Sequence, residues 1–273
     1  MSDFQDTNRR AILKTGAAAA ATLPIAGFAQ AGGSDELKVA TVGCGGRGRG
    51  ATAQTLNVPG TKLVAVADAF RDRAEEAVSS FRQQYADKVD ISADRIFDGF
   101  DGFRGAIDAA DVVILTTTPG FRPQHFEYAV QQGKHVFMEK PVATDAPGIR
   151  KVIEAAKKAD EKGLKVVCGL QRHYQPSYIE TLAKLKEGIV GDINYGQVYW
   201  NSSGVWVRPR VEGMTEIEYQ MRHWSYFNWL CGDHIVEQHV LNIDVINWFK
   251  GVHPVKAQCM GGPPVRVGTA YGE

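Results

Sequence analysis

Cysteine, net charge and long apolar runs are all scarce in this sequence of 273 residues. Only four cysteines occur, Cys44, Cys168, Cys231 and Cys259, far apart and with no C-x-x-C pair. That spacing excludes a zinc ribbon or a dense disulfide framework, and leaves four thiols expected to be buried or half-buried. No other metal-ligand constellation is evident. Basic and acidic side chains number 31 each, so the charge balance gives no reason to expect nucleic acid or an anionic membrane as partner. The weakly apolar stretch at residues 17–28 is too short and too rich in Ala and Gly for a stable membrane anchor. What remains is an ordinary globular composition, 44% hydrophobic and long enough for two cores.

Residues 37–42, Leu-Lys-Val-Ala-Thr-Val, read as a buried parallel strand. They run directly into Gly43-Cys44-Gly45-Gly46-Arg47-Gly48, a complete G-x-G-x-x-G. In such a loop the first glycine permits the turn, the second lets the backbone approach a pyrophosphate, and the third lets the helix pack on the strand. The helix N-terminus then offers free N–H groups to the phosphates. A second apolar run, residues 62–67, ends in Asp68, about 20 residues beyond Gly48, where an acid accepts the ribose hydroxyls. Asp68 favours NAD. Arg71 and Arg73 follow it and could bind the 2′-phosphate of NADP if Asp68 turns aside.

Strands at residues 111–115, 135–138 and 164–168 alternate with helices near 123–132 and 146–161. That alternation predicts an α/β fold, a doubly wound parallel Rossmann sheet over residues 34–168. Ligands of such sheets sit beyond the strand C-termini, where Thr117, Thr118, Pro119, Glu139, Lys140 and Arg172 fall.

With these motifs in place, the chain resembles the Gfo/Idh/MocA oxidoreductases. The resemblance rests on the glycine loop, Thr118-Pro119 with His125 downstream, and Gly133-Lys134-His135-Val136-Phe137-Met138-Glu139-Lys140-Pro141. It continues through residues 188–192 and 237–244. It implies a cofactor site that includes His125, and a second α/β domain with an open sheet, here residues 169–273. It also implies hydride transfer to or from a sugar, inositol or related polyol, with Lys140 as catalytic residue. An ammonium there stabilises developing alkoxide charge and can relay a proton.

Residues 233–249 have helical spacing. Relatives commonly carry an acid, a histidine four residues on and an aspartate three further. Here Glu237 and Asp244 match, but Leu241 takes the place of histidine. Glu237 is a candidate base, and His234, three residues before it on roughly the same helical face, is the candidate replacement. Upstream, residues 193–200 read as a strand and 205–221 as a long loop among many aromatics. Arg222, His223 and Trp224 are the candidates for a sugar pocket. The sequence stops soon after an expected strand at residues 254–260, and so reads as a C-terminally incomplete domain whose open sheet edge another copy could cover.

The N-terminus carries an address. Between Asp6 and Asp35 there is no acidic residue, and Asn8-Arg9-Arg10-Ala11-Ile12-Leu13-Lys14 resembles a twin-arginine signal, closed by an A-x-A site at Ala29-Gln30-Ala31. Residues 1–33 are thus expected to direct a folded, nucleotide-loaded protein to the periplasm. Two further readings stay open: a glycoside hydrolase working by transient oxidation, and a nucleotide-retaining sugar-binding protein.

Overall fold

The computed structural model describes residues 36–202 and 205–261. The signal at residues 1–33 lies outside the described residues. Six parallel strands form one sheet: β1 (Leu37–Val42), β2 (Thr61–Asp68), β3 (Ile96–Asp98), β4 (Val112–Leu115), β5 (His135–Met138) and β6 (Val166–Cys168). Their spatial order is β3-β2-β1-β4-β5-β6, so the winding reverses between β1 and β4. The reversal opens a crevice at the strand C-termini, where a doubly wound sheet binds its ligand.

Alternation along the strands feeds two cores. On one face Val39, Leu63 and Val66 pack with α1 (Gly46–Leu56) and α2 (Arg71–Gln84) through Ala51, Leu56, Ala77 and Phe81. On the other, Ala40, Val42, Val64 and Val113 meet α3 (Gly102–Asp108), α4 (Arg122–Gln131) and α5 (Ala146–Glu161). Helices on both faces are why these strands read as unbroken apolar runs. The one polar side chain of β1 in this interior, Thr41, is satisfied by the Thr52 hydroxyl at 2.6 Å. α5 starts where Asp145 accepts the Gly148 N–H at 2.7 Å.

Beyond β6 come α6 (Pro176–Lys186), α7 (Glu216–Arg222), α8 (Asn228–Cys231), a π turn (Ile235–His239) and α9 (Val240–Lys250). Here three expectations are corrected. Residues 193–200 and 254–260 form no ladder, with Tyr195 and Met260 74% and 99% exposed. No described strand lies beside them, so the expected second sheet is not present among the described residues. The helix expected over 233–249 is broken by the π turn, which changes the residue period from 3.6 and re-aims everything before it. Cys259 is exposed rather than buried. Among the described residues no helix is long and apolar enough to cross a membrane.

Candidate active site

β1 leaves the sheet through Gly43, whose φ of +100° suits glycine and whose added Cβ would lie 2.5 Å from the Thr117 nitrogen. A Cβ on Gly48 would stand 1.8 Å from the Gly43 carbonyl oxygen, so Gly48 lies beneath the loop and seats α1 on the strand. Thr116 closes the packing by donating its hydroxyl to the Gly43 carbonyl at 2.6 Å. Gly45 and Gly46 face the crevice instead, and nothing comes within 4 Å of a Cβ built on Gly46. Gly45 caps α1 without a side chain, leaving the first-turn N–H groups aimed into open space. The cradle fits a dinucleotide pyrophosphate: bare backbone donors, with a side chain's volume left vacant at Gly46.

The crevice encloses about 550 Å³. At its β2 end Asp68 accepts from the Cys44 N–H at 2.7 Å and the Phe70 N–H at 3.0 Å. Burial pushes its carboxyl pKa up, against the pull of these two amides. Arg71 does not reach the crevice. It binds Glu75 at 2.7 Å, along with Asp98 and the Ile96 carbonyl, and so ties α2 to β3. Two residues on, roughly 200° around the helix, Arg73 turns inward, its Nη1 3.9 Å from the Cβ position of Gly45.

Arg222 and Trp224 also line the crevice, Arg222 at this same end. The Arg222 guanidinium lies 3.9 Å over the Phe70 ring and pairs with Asp72 at 3.2 Å. Three strand spacings, roughly 14 Å, separate β2 from β5, so Arg222 does not sit beside Lys140. His223 is fully buried against Tyr219 and Tyr226 and does not line the crevice.

At the β4 and β5 ends the predicted residues do come together. Thr117, Thr118, Pro119, His125, Glu139, Lys140 and Glu237 all line the crevice. His125 shares a hydrogen bond of 3.1 Å with the Thr117 hydroxyl and packs on Phe103 at 4.3 Å. Burial, with Arg122 and Arg104 nearby, lowers its pKa to about 3. His125 is therefore a neutral orienting group, not an acid. Glu139 accepts from Arg47 Nε at 2.6 Å, tying the glycine loop to β5 across the crevice, and Gly169 leaves room for that carboxylate.

Lys140 Nζ donates to Glu237 twice, to the main-chain oxygen at 2.6 Å and to Oε1 at 2.9 Å. Each side chain is 15% exposed. Burial raises the Glu237 pKa, opposed by Lys140 and then Arg122. The second carboxylate oxygen, Oε2, is buried with no hydrogen-bond partner among the described residues, as is the Thr118 hydroxyl.

Arg122 was not singled out from sequence. Wholly buried, it donates to the carbonyls of Pro141 and Thr117 and faces Glu237 and Glu139, while burial lowers its pKa to about 10. Its signal was available: a cation in the first turn of a helix opposes the macrodipole and needs partners elsewhere.

Two more candidates move away from the crevice. His234 precedes the π turn, is exposed, and meets only Asp233 and the edge of His239 among the contacts described. Arg172 bonds Asn242 and anchors α9, leaving its neighbour Gln171 to line the crevice. Leu241 is buried at 5% exposure. Asp244 is taken up by His173 at 2.7 Å, which stacks on Trp248, a structural tie between β6 and α9.

Comparison with known proteins bears on this geometry. Residues 37–167 match the Gfo/Idh/MocA model, an oxidoreductase family with an NAD-binding Rossmann fold. Inositol 2-dehydrogenase of Rubrobacter xylanophilus is 35% identical over 163 residues, covering 59% of this chain and 42% of that protein. Glycosyl hydrolase family 109 protein 3 of Phocaeicola vulgatus is 25% identical over 202 residues, covering 69% of this chain and 34% of that protein. The crystal structure of myo-inositol 2-dehydrogenase from Lactobacillus plantarum shares the fold, with a TM-score of 0.57 at 22% identity over 79% of this chain and 57% of that one. The matched stretches thus cover less than half the length of these curated relatives.

Proposed function

We propose that this chain, whose residues 37–167 match the NAD-binding Rossmann fold of the Gfo/Idh/MocA oxidoreductases, transfers hydride between NAD(P) and a secondary hydroxyl of a sugar, inositol or related polyol. The observation that carries this reading is the Lys140–Glu237 pair, with its unpartnered Oε2, in the same crevice as the glycine cradle. The bound dinucleotide supplies the hydride acceptor or donor.

The chain's own residues do the rest. Gly45, Gly46 and the α1 N-terminus hold the pyrophosphate, and Arg47, fixed by Glu139, closes over it. The Lys140 ammonium donates to the substrate oxygen and stabilises charge as an alkoxide develops. Glu237 Oε2 accepts the hydroxyl proton, and its raised pKa makes it a stronger base than an exposed carboxylate. Leu241 offers no proton acceptor, so the base role falls to Glu237.

Glycoside cleavage by transient oxidation is the second reading, favoured by the similarity to the family 109 protein beyond the Rossmann segment. A panel of inositols, free sugars and aryl glycosides separates the two. Net formation of reduced nicotinamide from a polyol supports the first, and aglycone release without net reduction supports the second. Binding of dinucleotide with no turnover of any panel member would refute both. The twin-arginine motif at Asn8–Lys14 supports export of the loaded protein to the periplasm, which cell fractionation tests.

A further inference from the structure

The cations around the crevice are not equally satisfied. Arg47 pairs with Glu139, Lys140 with Glu237, and Arg222 with Asp72 and Glu218. Arg122 has two main-chain carbonyls. Arg73 and Arg208 line the same crevice and have no carboxylate within ion-pair distance among the described residues; each guanidinium lies against a ring instead, Phe70 for Arg73 and Trp206 for Arg208. Arg73 is half-buried, and burial lowers its pKa, with Arg208 and Arg222 pressing like charge upon it and Asp68 opposing them. Three guanidinium groups therefore converge on the mouth of the Asp68 end, and two of them, Arg73 and Arg208, make no ion pair among the described residues.

Asp68, the residue expected to exclude a phosphate there, is folded back. Both carboxylate oxygens accept backbone N–H groups, one from the glycine loop and one from Phe70, and the residue is 9% exposed. Both oxygens are thus engaged in fixing the loop beside β2.

We infer that the crevice takes NADP more tightly than NAD, with Arg73 and Arg208 holding the phosphate of the adenosine ribose and Arg222 buttressing them from its pair with Asp72. Arg73 belongs to the Rossmann domain, whereas Arg208 comes from the loop after β6. The selectivity is therefore assembled from two separate stretches of chain. A dianionic phosphate supplies the ion-pair partner that Arg73 and Arg208 lack and matches their planar donor geometry. The inference rests on the reading that the crevice binds a dinucleotide.

Calorimetric titration of the full chain with NADP, NAD, adenosine 2′,5′-bisphosphate and AMP tests it. The expected result is NADP binding roughly tenfold or more tighter than NAD, with the bisphosphate favoured over AMP in the same sense. Arg73→Gln and Arg208→Gln are each expected to weaken NADP roughly tenfold to hundredfold and to move NAD by less than about threefold, so that NAD binding reports intact folding. NAD binding as tight as NADP, or both variants losing the two dinucleotides equally, would overturn the inference and leave the hydride-transfer reading standing. Failure of both dinucleotides to bind would overturn both.

Discussion

Two glycines of the same loop offer a sharp test: Gly46→Ala and Gly48→Ala should fail in opposite ways. On Gly48 the new Cβ would stand 1.8 Å from the Gly43 oxygen and 2.7 Å from the Thr116 hydroxyl. Ordinary van der Waals contact begins near 3.4 Å, so α1 must retreat by about 1.5 Å or the loop must deform. Overpacking of this kind costs about 1–3 kcal/mol or more. On Gly46 no protein atom lies within 4 Å, and alanine at the first helical position stabilises the free protein by up to about 1 kcal/mol. The same methyl, however, occupies the space of the pyrophosphate.

Thermal unfolding with and without dinucleotide reads out both effects. At a concentration of 100 Kd a ligand stabilises by about 2.7 kcal/mol, or roughly 5–10 °C for a chain of this size. If Gly46→Ala weakens binding about a hundredfold, the same concentration yields only about 0.4 kcal/mol, so the shift nearly vanishes while the free protein melts no lower than wild type. Gly48→Ala should melt several degrees lower without ligand. A Gly46→Ala protein with an undiminished ligand shift would refute the cradle, and so would one whose free form melts as low as Gly48→Ala.

Three further outcomes follow from the buried groups. The folded-state pKa of His125 is about 3 against an ordinary 6.5, so its contribution to stability is full above pH 6.5 and is lost as pH falls towards 3; denaturant titrations of His125→Phe should show a shallower loss across that window than wild type. Arg122→Met leaves two main-chain carbonyls without their donor and two acids without a neighbouring cation, and should lower unfolding free energy by about 2–5 kcal/mol in the same assay. With Glu237 as base, polyol oxidation should rise with pH through an inflection above the ordinary 4.5, and Glu237→Gln should remove that limb and about 10²–10⁴ of the rate, measured by formation of reduced nicotinamide.

The Rossmann half was legible because each of its signals is local. Residues 37–42 and 135–138 are strands to the residue, since short apolar runs bounded by turns suffice to mark a buried parallel strand. β3 left no such trace: at three residues it exists only because Val66 pairs with Ile96. Residues 193–200 show the converse, a strand-like pattern without a neighbour to bond. In the crevice the glycines followed from motif spacing and Lys140 from the family resemblance. The choice of Arg73 over Arg71 did not, because nearness in sequence says nothing about which side of α2 faces the loop. His234 was misplaced by one unsignalled change of period, the π turn. Arg122 was hidden because its partners, Thr117 and Pro141, arrive from separate segments.

That π turn has one further effect. The Glu237 main-chain oxygen is a mooring for the Lys140 ammonium that no substitution at position 237 can remove. Only the second contact, from the carboxylate, depends on the side chain. The acid can therefore be shortened, lengthened or neutralised while the ammonium keeps one of its two anchors. Position 237 is thus a place where proton affinity can drift between related proteins, or under selection in the laboratory, without the lysine losing its berth.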